Sequence, residues 1–192
     1  MHVLFASAEF APIAQVGGLG IATGGLVQAL RDLGLEVTVA IPDYSDIELV
    51  GEEVADLEVP AWAAPARVRL GEAPGAGRVA AIGVPGIRRP NPYVQADGQG
   101  WPDNDRRFFA YSAAVAALAI EMPFDVLHLN DWHLVQCRTQ LLLPPCFLQQ
   151  VGNGPLVLPR NAILRRPRIR QCKLQCRLPI AVLGMHVCFC FK

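Results

Sequence analysis

The stretch MHVLFASAEFAPIAQVGGLG (Met1–Gly20), continued by GLVQALRDLGLEVTVAIP (Gly25–Pro42), decides the fold. Val3 to Ala6 is a short apolar run of β-forming character. A small-residue loop follows, containing Pro12 and the glycines Gly17, Gly18 and Gly20. Beyond the loop, Ala22, Leu26, Ala29, Leu30 and Leu33 recur at helical spacing, and Gly34 stands where a helix C-terminus favours glycine. EVTVAIP (36–42) is again β-rich and apolar. Strand, glycine loop, helix and strand in forty residues predict a βαβ unit with a right-handed parallel crossover, the first half of a Rossmann-like sheet.

Farther along, VADLEVP, ARVRL and RVAAIGV (within 54–86) are short β-type runs separated by Pro and Gly, with no helix-length segment between them. They predict antiparallel strands inserted at one edge of the sheet. Arg88 to Pro102 is a loop rich in Pro, Gly, Asn and Asp. From Asp103, in an N-cap position, the pattern is helical, with Phe108, Ser112, Val115, Leu118, Ala119 and Met122 on one face. FDVLHLN (124–130) reads as a buried strand, and Trp132 to Leu143 as the start of another helix. The expected class is therefore α/β, a parallel sheet flanked by helices with an antiparallel insertion.

Composition divides the chain in two. The 192 residues are 52% hydrophobic and 18% charged with zero net charge, as in an ordinary globular protein. All seventeen acidic residues, with eight arginines, precede Trp132, whereas the remainder holds nine basic residues and no acid. All six cysteines (137, 146, 172, 176, 188 and 190) also lie in that second part. Residues 144–192 have frequent prolines and no sustained period, so a tail is expected: basic, Cys-rich, and either disordered or read from a shifted frame. A basic binding tail and a cysteine-based module are the other accounts. The spacings Cys172-x-x-x-Cys176 and Cys188-x-Cys190 are not those of zinc knuckles, so no metal is expected. The tail lacks the interleaved aromatics of a stacking platform, which argues against nucleic acid. The apolar run from Leu178 to Phe191 is short and broken for a bilayer span, and the N-terminus lacks a signal-peptide pattern; the expected location is cytoplasmic, with no membrane partner.

Two segments could carry chemistry. A glycine turn from a strand into a helix presents backbone N–H groups and a positive dipole end to an anion. GGLG alone, however, is neither the dinucleotide fingerprint nor a P-loop, and by itself reads more as a structural turn than as a ligand site. Asn130-Asp131-Trp132-His133 ends a strand predicted to run parallel to the first, so these polar residues would emerge at the same carboxyl edge as the glycine loop. The plainer alternative is that Asp131 caps a helix and His133 is an ordinary first-turn residue.

Together the segments resemble a known family. MHVLFASAEFAPIAQVGGLG with GLVQALRDLGLEVTVAIPDY, NPYVQADGQGWPDNDRRFFAYSAAVAALA, and DVLHLNDWHLVQ are similar, in order and spacing, to the opening of bacterial glycogen synthases and plant starch synthases. The resemblance covers residues 1–143. It implies one Rossmann-like half of a two-domain GT-B enzyme, a retaining glucosyltransferase moving glucose from ADP-glucose to an α-1,4-glucan without a cofactor. It further implies donor-facing roles for Gln15, Gly17, Gly18 and Gly20, matches Asp103 and Asn104 to the family's Asp-Asn pair, and matches Asp131, Trp132 and His133 to its strand end, with Asn130 beside them. His133 and Asp103 are the expected catalytic positions; the others are expected to bind substrate. A non-catalytic glucan-binding or regulatory module is the alternative.

Two departures stand out. Gln15 replaces the family's loop lysine, and Ile21 the acid that commonly follows the loop. Loss of a charge at a developing diphosphate is comparable to loss of one oxyanion-hole donor, on the order of 2 to 4 kcal/mol. Residues 144–192 resemble nothing in the family's C-terminal domain, so the Arg, Lys and Glu of its leaving-group site are expected to be missing and the chain alone inactive.

Overall fold

The computed structural model describes residues 1–134 and the strand segments 169–170 and 186–191. A sheet of eight strands organises it. These are β1 (His2–Ala6), β2 (Glu36–Pro42), β3 (Val50–Leu57), β4 (Ala66–Ala73), β5 (Gly77–Gly83), β6 (Val126–Asn130), β7 (Ile169–Arg170) and β8 (His186–Phe191), in the order β3-β4-β5-β2-β1-β6-β8-β7. β5, β2, β1 and β6 are mutually parallel. β3 and β4 pair antiparallel beside β5, which is the edge insertion predicted from the short runs after residue 54, although β3 begins earlier, at Val50.

Alternation along the central strands divides the core into two faces, as a period of two requires. Leu4, Ala6, Ala40, Ala80, Ile82, Leu127 and Leu129 point to one face, where helix α2 (Asn104–Glu121) covers them. Val3, Phe5, Val37, Val39, Ile41, Val79, Ala81 and Val126 point to the other, where Val27 of helix α1 (Gly18–Asp32) joins them. Complete burial of side chains such as Phe5 or Leu127 contributes roughly 1.5–3 kcal/mol each.

Both helices depart from expectation in how they are buried. On α1 the buried residues are Gly20, Thr23 and Val27, while Leu33 is 77% exposed and Ala22 and Ala29 also face outward. The true face lies about one residue, some 100°, from the apolar stripe. Backbone proximity explains the offset. A Cβ on Gly20 would lie 3.0 Å from the Ala14 carbonyl, and one on Gly24 3.1 Å from that of Ala11, so the small residues draw this side against the loop. The Thr23 hydroxyl adds bonds to the carbonyls of Glu9 (2.8 Å) and Gly20 (3.0 Å). On α2 the predicted residues from Phe108 to Ala119 are buried, but so are Arg107 and the whole of 110–119. Its alanines let sheet and loops approach from most directions. Asp103 occupies the N-cap position without a side-chain capping bond.

After β6 the chain makes one 3-10 turn, Trp132–Leu134. The rest of the predicted helix to Leu143, the six cysteine side chains and the reading of 144–192 as a disordered or frameshifted tail lie outside the described residues, apart from the backbone pairing of β8 with β6 and β7. No described helix is long and apolar enough to cross a membrane.

Candidate functional site

Because β1, β2, β5 and β6 are parallel, their C-terminal ends share one edge, and the segment leaving β1 is held there firmly. Tyr111 of α2 donates to the carbonyls of Ser7 (3.0 Å) and Ala40 (2.9 Å), and Tyr44 donates to that of Ala8 (3.0 Å). Burial raises the Tyr44 phenol well above its ordinary value, so it stays a donor.

Glu9 follows, and organises the edge. Its Oε2 accepts the N–H groups of Val16 (2.9 Å) and Gly17 (3.1 Å); its Oε1 accepts the Tyr93 hydroxyl (2.9 Å). Burial alone would raise this carboxyl, but the donors from Gly17, Val16 and Tyr93 outweigh it and hold it below the usual carboxylate range. Glu9 therefore fixes the glycine loop to the 88–102 segment. Paired Phe10–Ala14 backbone bonds and Ala11 N–H to the Gly20 carbonyl (3.0 Å) complete the loop.

The loop presents a helix N-terminus with open space before it. Gly17 is the N-cap of α1, and a Cβ at Gly17 or Gly18 would meet nothing within 4 Å. The first helical N–H groups have no intrahelical acceptor and carry the dipole's positive end. Gly20 instead is buried and serves packing, and Gln15 is exposed beside the opening.

Tyr93 connects this loop to the end of β6. Its ring stacks on His133 at 5.4 Å between centroids, and Phe108 meets His133 edge-on at 4.6 Å. His133 is 3% exposed; burial pushes its imidazole down to about 4, against the opposing pull of Asp131 and Glu9, so it is neutral near pH 7. Asp131, whose carboxylate lies 3.7 Å from the His133 Nδ1, has φ 73°, a left-handed conformation uncommon outside glycine and concentrated at functional turns. Asn130, also buried, donates to the Ser7 hydroxyl at 3.4 Å. Asn104 donates to the Tyr93 carbonyl (2.9 Å) and accepts from Arg107 Nε (3.1 Å), while Arg107 Nη2 donates to the Pro92 carbonyl.

Gln15, Gly17, Gly18, Asn104, Asn130, Asp131 and His133 thus gather around Glu9 and Tyr93. Asp103 does not join them: its Oδ2 accepts from Arg89 at 2.8 Å, and it lines a separate cavity. The sequence reading passed over Glu9 and the hydroxyl of Tyr93. One signal was present: Glu9 is the only acid before Asp32. Among the described residues no group of His, Cys, Asp and Glu is placed to hold a metal ion.

Comparison with known proteins identifies the family. The profile of the starch synthase catalytic domain matches residues 2–141. The chain belongs to that family. It is 38% identical over 142 residues to the glycogen synthase of Ralstonia nicotianae, covering 69% of this chain and 26% of the relative, and 37% identical over 166 residues to glycogen synthase 2 of Nitrosococcus oceani, covering 81% and 32%. The catalytic domain of starch synthase IV from Arabidopsis thaliana, solved with bound ADP and acarbose, superposes with a TM-score of 0.54 at 27% identity, covering 70% of this chain and 29% of that one. This member of the starch synthase family spans about a quarter to a third of its curated relatives, and the fold they share is a GT-B half.

Proposed function

We propose that this chain supplies the N-terminal half of a retaining glucosyltransferase that moves glucose from ADP-glucose to the end of an α-1,4-glucan. The observation that carries this is the convergence, through Glu9 and Tyr93, of the glycine loop at the α1 N-terminus with His133 at the end of β6. A diphosphate leaving group gains negative charge in the transition state, and N–H groups at the start of α1 beyond those that Glu9 already holds stabilise that charge without reorganising. Neutral His133 suits a hydrogen bond to the transferred sugar, with Asn130 and Asp131 fixing the turn that carries it. Gly17 and Gly18 leave room for the donor phosphates, and Gln15 stands where a side chain reaches them. The ADP and acarbose in the Arabidopsis structure support a nucleotide-sugar donor and a glucan acceptor. Asp103 acts at a distance on this proposal, by holding Arg89, rather than at the reacting atoms.

Transfer also needs cations around the leaving diphosphate from the family's second domain, so the 192-residue chain alone is inactive on this proposal. Labelled glucose transfer from ADP-glucose to glycogen is the test. The purified chain should give none, and the chain joined to the remainder of the Ralstonia nicotianae enzyme should give turnover; failure of that chimaera despite correct folding would overturn the catalytic assignment. The uncharged Gln15 favours one alternative, a glucan-binding module that no longer transfers. Retention on glycogen by a folded but inactive chimaera would establish it.

A further inference from the structure

Apart from the Glu9 site, the chain has a cavity of about 260 Å3 between the segment after β5 and the first turns of α2, with Trp62, Pro85, Gly86, Asp103, Arg106 and Arg107 in its walls. Its charge is lopsided. Arg106 is exposed and makes no ion pair among the described residues. Arg107 is 1% exposed; its Nε and Nη2 are engaged by Asn104 and Pro92, but its buried Nη1 has no hydrogen-bond partner among the described residues. Asp103, the acid in the wall, is already offset by Arg89, which itself lies over the Trp101 ring at 4.7 Å. Two guanidinium groups therefore line the cavity against one carboxylate, Asp103, which Arg89 already pairs and whose charge also acts on Arg107, and the buried Nη1 of Arg107 is an unmet donor, which is costly.

The other walls specify more than an anion. Trp62, 39% exposed, and Pro85 supply apolar lining, and the second oxygen of Asp103 accepts no hydrogen bond among the described residues, leaving an acceptor for a hydroxyl. Arginine forks match phosphate oxygens, and an indole face suits the C–H side of a sugar ring. The volume is just below the usual range of small-molecule sites, roughly 300–1,000 Å3, which admits one ring with one anionic group and excludes a dinucleotide.

We infer that this cavity binds a phosphorylated monosaccharide, the phosphoryl group held by Arg106 and Arg107, the ring by Trp62 and a hydroxyl by Asp103. The site is distinct from the donor loop, since none of Gln15, Gly17, Gly18 or His133 lines it.

Calorimetric titration of the full chain with glucose 1-phosphate, inorganic phosphate and maltose, at an ionic strength fixed with chloride, tests this. Glucose 1-phosphate is expected to bind, inorganic phosphate to compete with it more weakly, and maltose not to compete. Arg106→Gln, a change at an exposed side chain that leaves folding intact, should weaken both phosphates at least tenfold; Trp62→Ala should weaken only the sugar phosphate. No binding, or unchanged affinity in Arg106→Gln, overturns the site. Equal affinities for the two phosphates with no effect of Trp62→Ala overturn the monosaccharide assignment, and competition by maltose would mean a neutral glucan end instead. Displacement by ADP with Arg106→Gln silent would assign the binding to the glycine loop and also refute the inference.

Discussion

Tyr93 donates its hydroxyl hydrogen to Glu9 at 2.9 Å across 84 positions of sequence, and the other oxygen of the same carboxylate holds the N–H groups of Val16 and Gly17. Glu9→Gln keeps the shape but loses the charge and one acceptor. It is expected to destabilise the fold by about 1–3 kcal/mol, the cost of leaving buried donors poorly met. Urea unfolding of Glu9→Gln, Tyr93→Phe and the double variant checks it. The two changes should be non-additive, with a coupling of roughly 0.5–3 kcal/mol; simple additivity would mean that the Tyr93–Glu9 bond contributes nothing to holding the loop.

Gly18 and Gly20 differ by two positions and should respond oppositely. A Cβ at Gly20 would lie 3.0 Å from the Ala14 carbonyl and 3.2 Å from the Gln15 Cα, so Gly20→Ala requires the loop backbone to give way slightly. A loss of about 1–3 kcal/mol is expected, as for overpacking. Gly18 opens the helix into empty space, and Gly18→Ala should leave stability unchanged or raise it by up to about 1 kcal/mol from helix propensity. In the chimaera with the Ralstonia nicotianae remainder, the same Gly18→Ala should lower kcat/KM for ADP-glucose at least tenfold, because its methyl occupies the space proposed for phosphate. Melting temperatures and initial rates decide between packing and ligand contact at each glycine.

That contrast also shows what the sequence made legible. β1, β2 and β6 were readable because a parallel strand buried on both faces is a nearly continuous apolar run, as in VLFA, VAI and VLHL. The edge insertion was readable from its turns. The burial of α1 was not, because Gly20, Thr23 and Gly24 are held against backbone carbonyls of the loop that leads into the helix, a packing that no hydropathy pattern encodes. Glu9 was hidden for a related reason: its partners Val16, Gly17 and Tyr93 are assembled only by the fold. The NDWH and glycine segments were legible as a pair at one edge, but Tyr93, which joins them, had no local mark beyond a Pro-Tyr in a long loop.

His133 makes stability depend on pH in a stated direction. Its imidazole is held at about 4 in the folded protein, chiefly by burial, against about 6.5 in an unfolded chain. The unfolded state therefore binds more protons between these values, and stability rises with pH across that window. The contribution is fully present above about pH 6.5 and is lost as pH falls toward 4, on the order of 3 kcal/mol in all. Denaturant unfolding at pH 7, 6, 5 and 4 should show this slope, and His133→Leu should flatten it. A remaining loss at the acid end belongs to the carboxylates held below their ordinary range, Glu9 together with Asp46 and Glu52, which act in the same direction. An unchanged slope in His133→Leu would show that His133 is accessible to protons in the folded state.

Gln15 offers the most direct test of the donor loop. It is exposed next to Val16 and Gly17, whose N–H groups are taken by Glu9, so the nearest side chain able to add charge at the mouth of α1 is residue 15 itself. In the two-domain chimaera, Gln15→Lys would place a cation near the leaving diphosphate. If the loop serves ADP-glucose, kcat should rise, by 10- to 1,000-fold where the lysine restores a full transition-state contact worth about 2–4 kcal/mol. The gain should appear in kcat more than in KM, since the charge it meets develops during the reaction. On the proposed two-domain arrangement, which encloses the diphosphate, it should also shrink with added salt less than an exposed ion pair would. Unchanged kinetics with ADP-glucose, alongside intact folding, would show that residue 15 does not face the donor phosphates and would remove the glycine loop from the proposed chemistry.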